Sequence, residues 1–131
     1  MLKVEEFIDI KKIEEIRKAA GGKGLDENDN FSWHIALKEG DKLIGVARFY
    51  KYKAGLMIDS PYLLTTEKCH YEMLFRTLLL KATTTNFEYV YSKEINEYYR
   101  QFGFENYEKI MRVKIKDIKF SNLCGGCKDC D

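Results

Sequence analysis

The spacing of apolar residues changes several times along the chain, and each change marks an element. Leu2 to Glu6 can form a short strand. Ile10, Ile13, Ile16 and Ala20 then recur at helical spacing with Lys and Glu between them, which predicts a helix with one buried stripe. Gly21-Gly22-Lys23-Gly24 closes it, since glycine readily takes the left-handed conformation of a helix end. Residues 26–30 are polar and read as a loop. Residues 31–38 and 42–52 are rich in aromatic and β-branched side chains and are separated by Glu39-Gly40-Asp41, the pattern of two strands around a turn. Lys53-Ala54-Gly55 leads into a third strand over residues 56–63, so short connections predict an antiparallel meander. Pro61 lies within that strand, where it cannot donate a ladder hydrogen bond. It therefore marks an edge, a bulge or a place where two strands part.

The second half alternates. Thr65 and Thr66 can cap a helix with Glu67 in its first turn. Tyr71, Leu74, Phe75, Leu78, Leu79 and Ala82 follow as its apolar stripe. Residues 87–91 read as a strand. Ile95, Tyr98, Tyr99 and Phe102 read as a short helix closed by Gly103, and residues 104–115 as a last long strand. The order β-α-β-β-β-α-β-α-β predicts an α+β domain on a mixed, strongly twisted sheet. The domain spans residues 1–118, and a distinct cysteine-rich tail spans residues 119–131.

Composition narrows the function classes. The 131 residues suit one domain. Lys and Arg number 22 against 21 Asp and Glu, a net charge of +1, which argues against a nucleic-acid partner. No apolar run approaches the ~20 residues needed to span a bilayer, and the first dozen residues are too polar for a signal peptide. A cytoplasmic domain without a membrane partner is the expectation. The four cysteines do not form a disulfide framework, because Cys69 is mid-chain while Cys124, Cys127 and Cys130 crowd the end.

The segment Tyr98-Tyr99-Arg100-Gln101-Phe102-Gly103-Phe104 resembles the aromatic-Tyr-x-x-x-Gly-Phe helix end of the GNAT superfamily of acetyl-CoA-dependent N-acetyltransferases. The element order and the interval between the main helix and the Gly-Phe pair are also similar to that family's, over residues 2–116. The resemblance implies the GNAT acyl-CoA N-acyltransferase fold and transfer of an acetyl group from acetyl-CoA to the amine of a small-molecule or peptide acceptor. It implies that the strand of residues 56–63 splays from its neighbour and pairs with pantetheine through free backbone groups, Tyr62 and Leu63 among them. It also implies a diphosphate seat on the loop and helix start formed by Lys68, Cys69, His70 and Tyr71. Ser92 stands at the strand end where the family usually has asparagine. By position, Tyr99 is the implied acid toward the leaving thiolate, with Tyr98 as the substitute, and Asp59 is the candidate carboxylate for the amine. Trp33, Phe49, Tyr50 and Tyr52 would wall the acceptor site. The sequence departs from the family at Thr66-Glu67-Lys68-Cys69-His70-Tyr71, where Cys69 and Tyr71 occupy positions at which the family has glycine. Glycine there lets backbone approach phosphate with no Cβ in the way.

Other polar residues have plainer readings. His70 near a helix start reads as a surface residue, His34 as a sheet-face residue, and Glu39 and Asp41 as solvated turn residues. Cys124, Cys127 and Cys130 form a C-x2-C-x2-C array. Thiolates at that spacing suit zinc or an iron–sulfur cluster, with a fourth ligand from Cys69, His70, Asp131 or a second chain. Disulfide exchange or an end that binds nothing specific are the other readings. The competing function is therefore a catalytically inactive GNAT-fold protein that binds a metal, a thiol or a partner through this tail. A third is a homodimer formed through the last strand.

Overall fold

The computed structural model describes residues 1–120; the tail cysteines Cys124, Cys127 and Cys130 lie outside the described residues. Strand β1 (Leu2–Glu6) precedes helix α1 (Ile10–Ala19), whose N-cap Asp9 accepts from the Lys12 amide. Gly21, at φ +88°, ends α1 in the left-handed region as its sequence predicts. The polar stretch that reads as a loop is instead a single-turn 3-10 helix (Glu27–Phe31). Asp26 and Asp29 close a reciprocal capping box at its start, each side chain taking the other's backbone N–H.

The meander forms as predicted: β2 (Ser32–Glu39), β3 (Lys42–Tyr52) and β4 (Gly55–Ile58) pair antiparallel in succession. The predicted third strand is in fact two pieces. It breaks at Asp59-Ser60-Pro61 and resumes as β5 (Tyr62–Leu63). Helix α2 (Lys68–Ala82), β6 (Tyr89–Ser92) and helix α3 (Glu97–Arg100) follow. The predicted last strand is a hairpin of β7 (Glu105–Tyr107) and β8 (Ile110–Lys114), turned at Glu108, whose φ is +55°. Three residues on either side of the turn were enough to mask it as one alternating run. The sheet order is β1-β2-β3-β4-β6-β8-β7, with β5 attached to β3. Only β4 and β6 run parallel among these pairings.

Side-chain alternation sorts the strands between two faces. Ile35, Leu37, Ala47, Phe49, Leu56 and Ile58 join Leu74, Phe75, Leu78 and Leu79 of α2, with Tyr99 and Phe102 of α3 and its end, in the main core. Ala36 and Val46 point the other way, against Ile13 and Ile16 of α1. Tyr50, Met57 and Tyr91 continue that second face. Beyond β8, the Lys119 amide donates to the Phe102 carbonyl at 2.8 Å and Phe120 packs on the main core, so ordered contacts run past residue 118.

Gly55 sets how closely β4 and β6 approach. A Cβ there would stand 1.9 Å from the Tyr89 carbonyl oxygen, which is backbone and cannot step aside. Gly55→Ala is expected to cost about 2–3 kcal/mol, at the upper end of overpacking penalties, measured by urea unfolding against wild type. An unchanged midpoint would show that the two strands separate at little cost.

Candidate active site

The β4–β6 ladder is paired from Gly55↔Tyr89 to Ile58↔Ser92 and then ends. The next paired residues of that chain segment face the opposite neighbour, with Val46↔Tyr62 and Gly45↔Leu63 in register and the Leu64 amide donating to the Ile44 carbonyl. The two strands therefore part after Ile58, on the near side of Pro61. Successive residues of a strand aim their backbone groups to opposite sides. With Tyr62 and Leu64 turned to β3, the N–H and C=O of Leu63 face the opening. Tyr62 itself packs its ring toward α1, so its contribution to the opening is backbone rather than ring.

Three hydroxyls meet at the opening. Tyr71 Oη lies 3.0 Å from Ser60 Oγ on the bulge and 3.0 Å from Tyr99 Oη on α3. Tyr99 is 0% exposed and its ring stacks on Phe75 at a centroid distance of 4.4 Å. Tyr71 is only partly buried, with its ring set edge-on to Tyr98. Burial pushes the Tyr99 phenol well above the usual tyrosine range, and the adjoining Tyr71 phenol pushes it further. Burial also raises the Tyr71 phenol, against hydrogen bonds from Ser60 and Tyr99 that lower it. Both are neutral phenols at ordinary pH and both have a proton to give.

The start of α2 is placed beside this opening by the short link from β5. Glu67 is the N-cap rather than a first-turn residue, and its side chain makes no cap hydrogen bond. Neither threonine caps the helix: Thr65 Oγ1 lies 2.7 Å from His70 Nδ1 instead. Lys68 and Cys69 are the first two helical residues, so their backbone N–H groups lack intrahelical acceptors. The Cys69 sulfur is engaged in a disulfide and is not a free thiolate. Lys68 is exposed, with Glu72 at 3.8 Å. Ser92, at the end of β6, turns its hydroxyl back to the Glu94 carbonyl at 2.9 Å. Among the described residues, no group of three His, Cys, Asp or Glu side chains is arranged to hold a metal.

Behind the opening lies a buried ion network that the strand pattern alone did not disclose. Arg48 donates to Asp26 Oδ1 at 2.7 Å, to Asp29 Oδ1 at 3.0 Å and, through Nε, to Asp59 on the bulge. Arg17 of α1 pairs with Asp29 at 2.7 Å, and His34 Nε2 lies 3.0 Å from the same carboxylate. An arginine amid the apolar run Val46-Ala47-Arg48-Phe49, and another continuing the Ile13–Ile16 stripe, were the available signals. Asp59 is thus tied to a guanidinium and holds the bulge in place. His34 is on the sheet face as predicted, buried with the ion cluster.

A cleft of about 710 Å³ opens on the α1 side of the parted strands, lined among others by Asp26, Tyr50, Asp59, Tyr62, Lys93 and Glu94. Of the four aromatics expected to wall an acceptor site, Tyr50 alone lines this cleft. Trp33 and Phe49 lie one position out of phase and turn to the α2 side, where they line a separate cavity of about 360 Å³. Tyr52 packs edge-on against Tyr91.

Solved structures share this architecture. A GNAT family acetyltransferase from Brucella melitensis, in complex with acetyl-CoA, superposes with a TM-score of 0.71 at 14% identity, covering 87% of this chain and 88% of that one. The chain has the GNAT fold. The ribosomal-protein-S18-alanine N-acetyltransferase of Escherichia coli gives a TM-score of 0.70 at 12% identity, over 94% of this chain and 99% of that one. PaiA N-acetyltransferase from Thermoplasma acidophilum, in complex with coenzyme A, gives 0.64 at 11% identity, over 87% and 99%. No protein-family sequence model matches the chain, and no curated protein sequence does. The GNAT fold therefore persists here on few shared residues.

The ion network makes stability pH-dependent. Burial would raise the Asp29 carboxyl, but hydrogen bonds from Arg17, the Asp26 amide and His34 outweigh it and hold it far below the usual range. Its contribution is present above the unfolded-chain value of ~3.9 and is lost as pH falls toward the folded one. Asp29→Asn, leaving two buried guanidiniums short of charge, is expected to cost about 3–5 kcal/mol in urea unfolding at pH 7. Burial depresses His34 against the pull of Asp29. The unfolded chain then binds a proton near pH ~6.5 that the folded chain resists, so stability falls as pH drops from 7 to 5 by up to ~1.4 kcal/mol per unit. His34→Gln should flatten that slope; an identical slope in the variant would assign it to another group.

Proposed function

We propose that this protein transfers an acyl group from a coenzyme A thioester to an amine. One observation carries the reading: two strands part beside buried phenols, and the register with β3 turns the backbone N–H and C=O of Leu63 to the open edge. An extended amide-bearing arm such as pantetheine is the ligand such an edge suits, because it can complete the ladder as an added strand. The donor's diphosphate would meet the positive end of α2 at its first turn, with Lys68 and His70 close by. The neighbours whose complexes hold acetyl-CoA or coenzyme A have the same fold, which supports this placement.

The amine would enter from the cleft on the α1 side, where Asp26, Asp59 and Glu94 offer carboxylates and Tyr50 a ring face. Its nitrogen attacks the thioester carbonyl, and a neutral phenol at the parting protonates the departing sulfur. Asp59 acts here chiefly by fixing the bulge through Arg48, which spaces the donor edge from the acceptor cleft.

A second reading is favoured by Cys69 and Tyr71, which put side chains where glycine would admit phosphate closely. On that reading the fold persists without donor binding and the protein acts by binding a partner. Isothermal titration separates the two. Acetyl-CoA and CoA are expected to bind the full chain, and absence of heat at millimolar ligand would retire the transferase. Leu63→Pro removes the edge N–H without touching a β3 bond. It should weaken CoA roughly 5–10-fold, the worth of about one net hydrogen bond, with the melting temperature little changed.

A further inference from the structure

We propose that Tyr71, rather than Tyr99, is the phenol that meets the donor's sulfur, with Tyr99 and Ser60 as the groups that position it. The assignment rests on the acyl-transfer reading above and concerns the same site. Tyr99 follows from the position of Gly103-Phe104, but its side chain is fully enclosed, with the Tyr71 and Ser60 hydroxyls about its oxygen. Tyr71 is partly exposed, and its oxygen lies 3.0 Å from each of the Tyr99 and Ser60 oxygens. An atom arriving in the parting therefore meets the Tyr71 or Ser60 oxygen before that of Tyr99. Of these, a phenol is by far the stronger acid.

The residue standing at a glycine position thus carries an active hydroxyl as well as narrowing the entrance. It emerges from the first turn of α2, whereas Tyr99 emerges from α3. The Tyr71 oxygen is held: Tyr99 Oη and Ser60 Oγ, each 3.0 Å away, leave it little freedom to move.

The step balances as follows. The acceptor nitrogen forms a bond to the thioester carbon, the carbon–sulfur bond breaks, and its electron pair goes to sulfur. The sulfur takes the Tyr71 phenol proton, giving the free thiol. The new amide loses its extra proton to water in the cleft, and Tyr71 regains one from that water through the Ser60 hydroxyl. Nothing is oxidised or reduced.

The test needs no identified acceptor. Dissociation constants of CoA and of desulfo-CoA, which lacks the thiol, are measured by titration for wild type, Tyr71→Phe and Tyr99→Phe. Wild type is expected to prefer CoA by about 5-fold, the size of one net hydrogen bond. Tyr71→Phe, which keeps the ring, should reduce that preference to none, while Tyr99→Phe retains most of it. Loss of the preference in Tyr99→Phe with its survival in Tyr71→Phe overturns the assignment and returns the role to Tyr99. So does a wild type that binds both ligands equally. Should neither wild type nor Tyr71→Ala bind CoA at millimolar concentration, the acyl-transfer reading itself fails, an outcome distinct from a misplaced acid. Melting curves of both phenylalanine variants, expected within a few degrees of wild type, show that the comparison is between folded proteins.

Discussion

The guanidinium of Arg48 is the contact on which the site depends. It gathers Asp26 and Asp29 from the 3-10 turn and Asp59 from the interrupted strand, so two segments far apart in sequence share one cation on β3. Charges this buried are costly unless every partner is present. Here Arg17 supplies the second cation that Asp29 needs. The bulge at Asp59-Ser60-Pro61 is therefore held by ionic contacts beside one long backbone bond from the Asp59 amide to the Arg48 carbonyl, and Pro61 has no N–H to offer β6 in any case.

From that anchored bulge the rest of the site follows. Once the chain leaves β6 it can rejoin the sheet only on the β3 side, which it does at Tyr62 and Leu63. This leaves a gap between strands that are parallel neighbours up to Ile58 and Ser92. Beneath the gap the apolar floor is Phe75, Tyr99 and Phe102, with the Phe75 ring packed against both of the others. Their packing keeps the phenol at Tyr99 neutral and in place. The hydroxyl line from Tyr99 through Tyr71 to Ser60 is the polar path through an otherwise apolar wall. Such a line is stable because each oxygen has a partner.

The GNAT fold tolerates replacement of most residues, as identities of 11–14% to well-superposed structures show. What this chain shares with them is the arrangement of strands and helices, which here carries a parted strand pair, a helix starting beside the parting and a short aromatic helix. Cys69 and Tyr71 alter the chemistry presented at the helix start without disturbing that frame, since Tyr71 packs its ring along the edge of the main core and keeps part of it exposed. The frame and the reactivity are separable for that reason.

Periodic elements were legible in the chain itself. The Ile13–Ile16 stripe, the Leu74–Leu79 stripe and the alternating meander each repeat a local rule often enough to be read without neighbours. Pro61 likewise announced a break, since a missing donor is a property of one residue, and the Gly103-Phe104 pair announced the helix end. Short or singular features were not legible: the hairpin at Glu108 and the 3-10 turn occupy too few residues to set a period. The face that each aromatic occupies depended on register, so Tyr50 and Phe49, adjacent in the chain, ended on opposite sides of the sheet. Local composition and spacing by themselves determined the elements and their order. The tertiary structure alone decided that Arg48 would meet three aspartates and that Tyr71 would stand between Ser60 and Tyr99, because both depend on contacts between segments that only the closed sheet brings together.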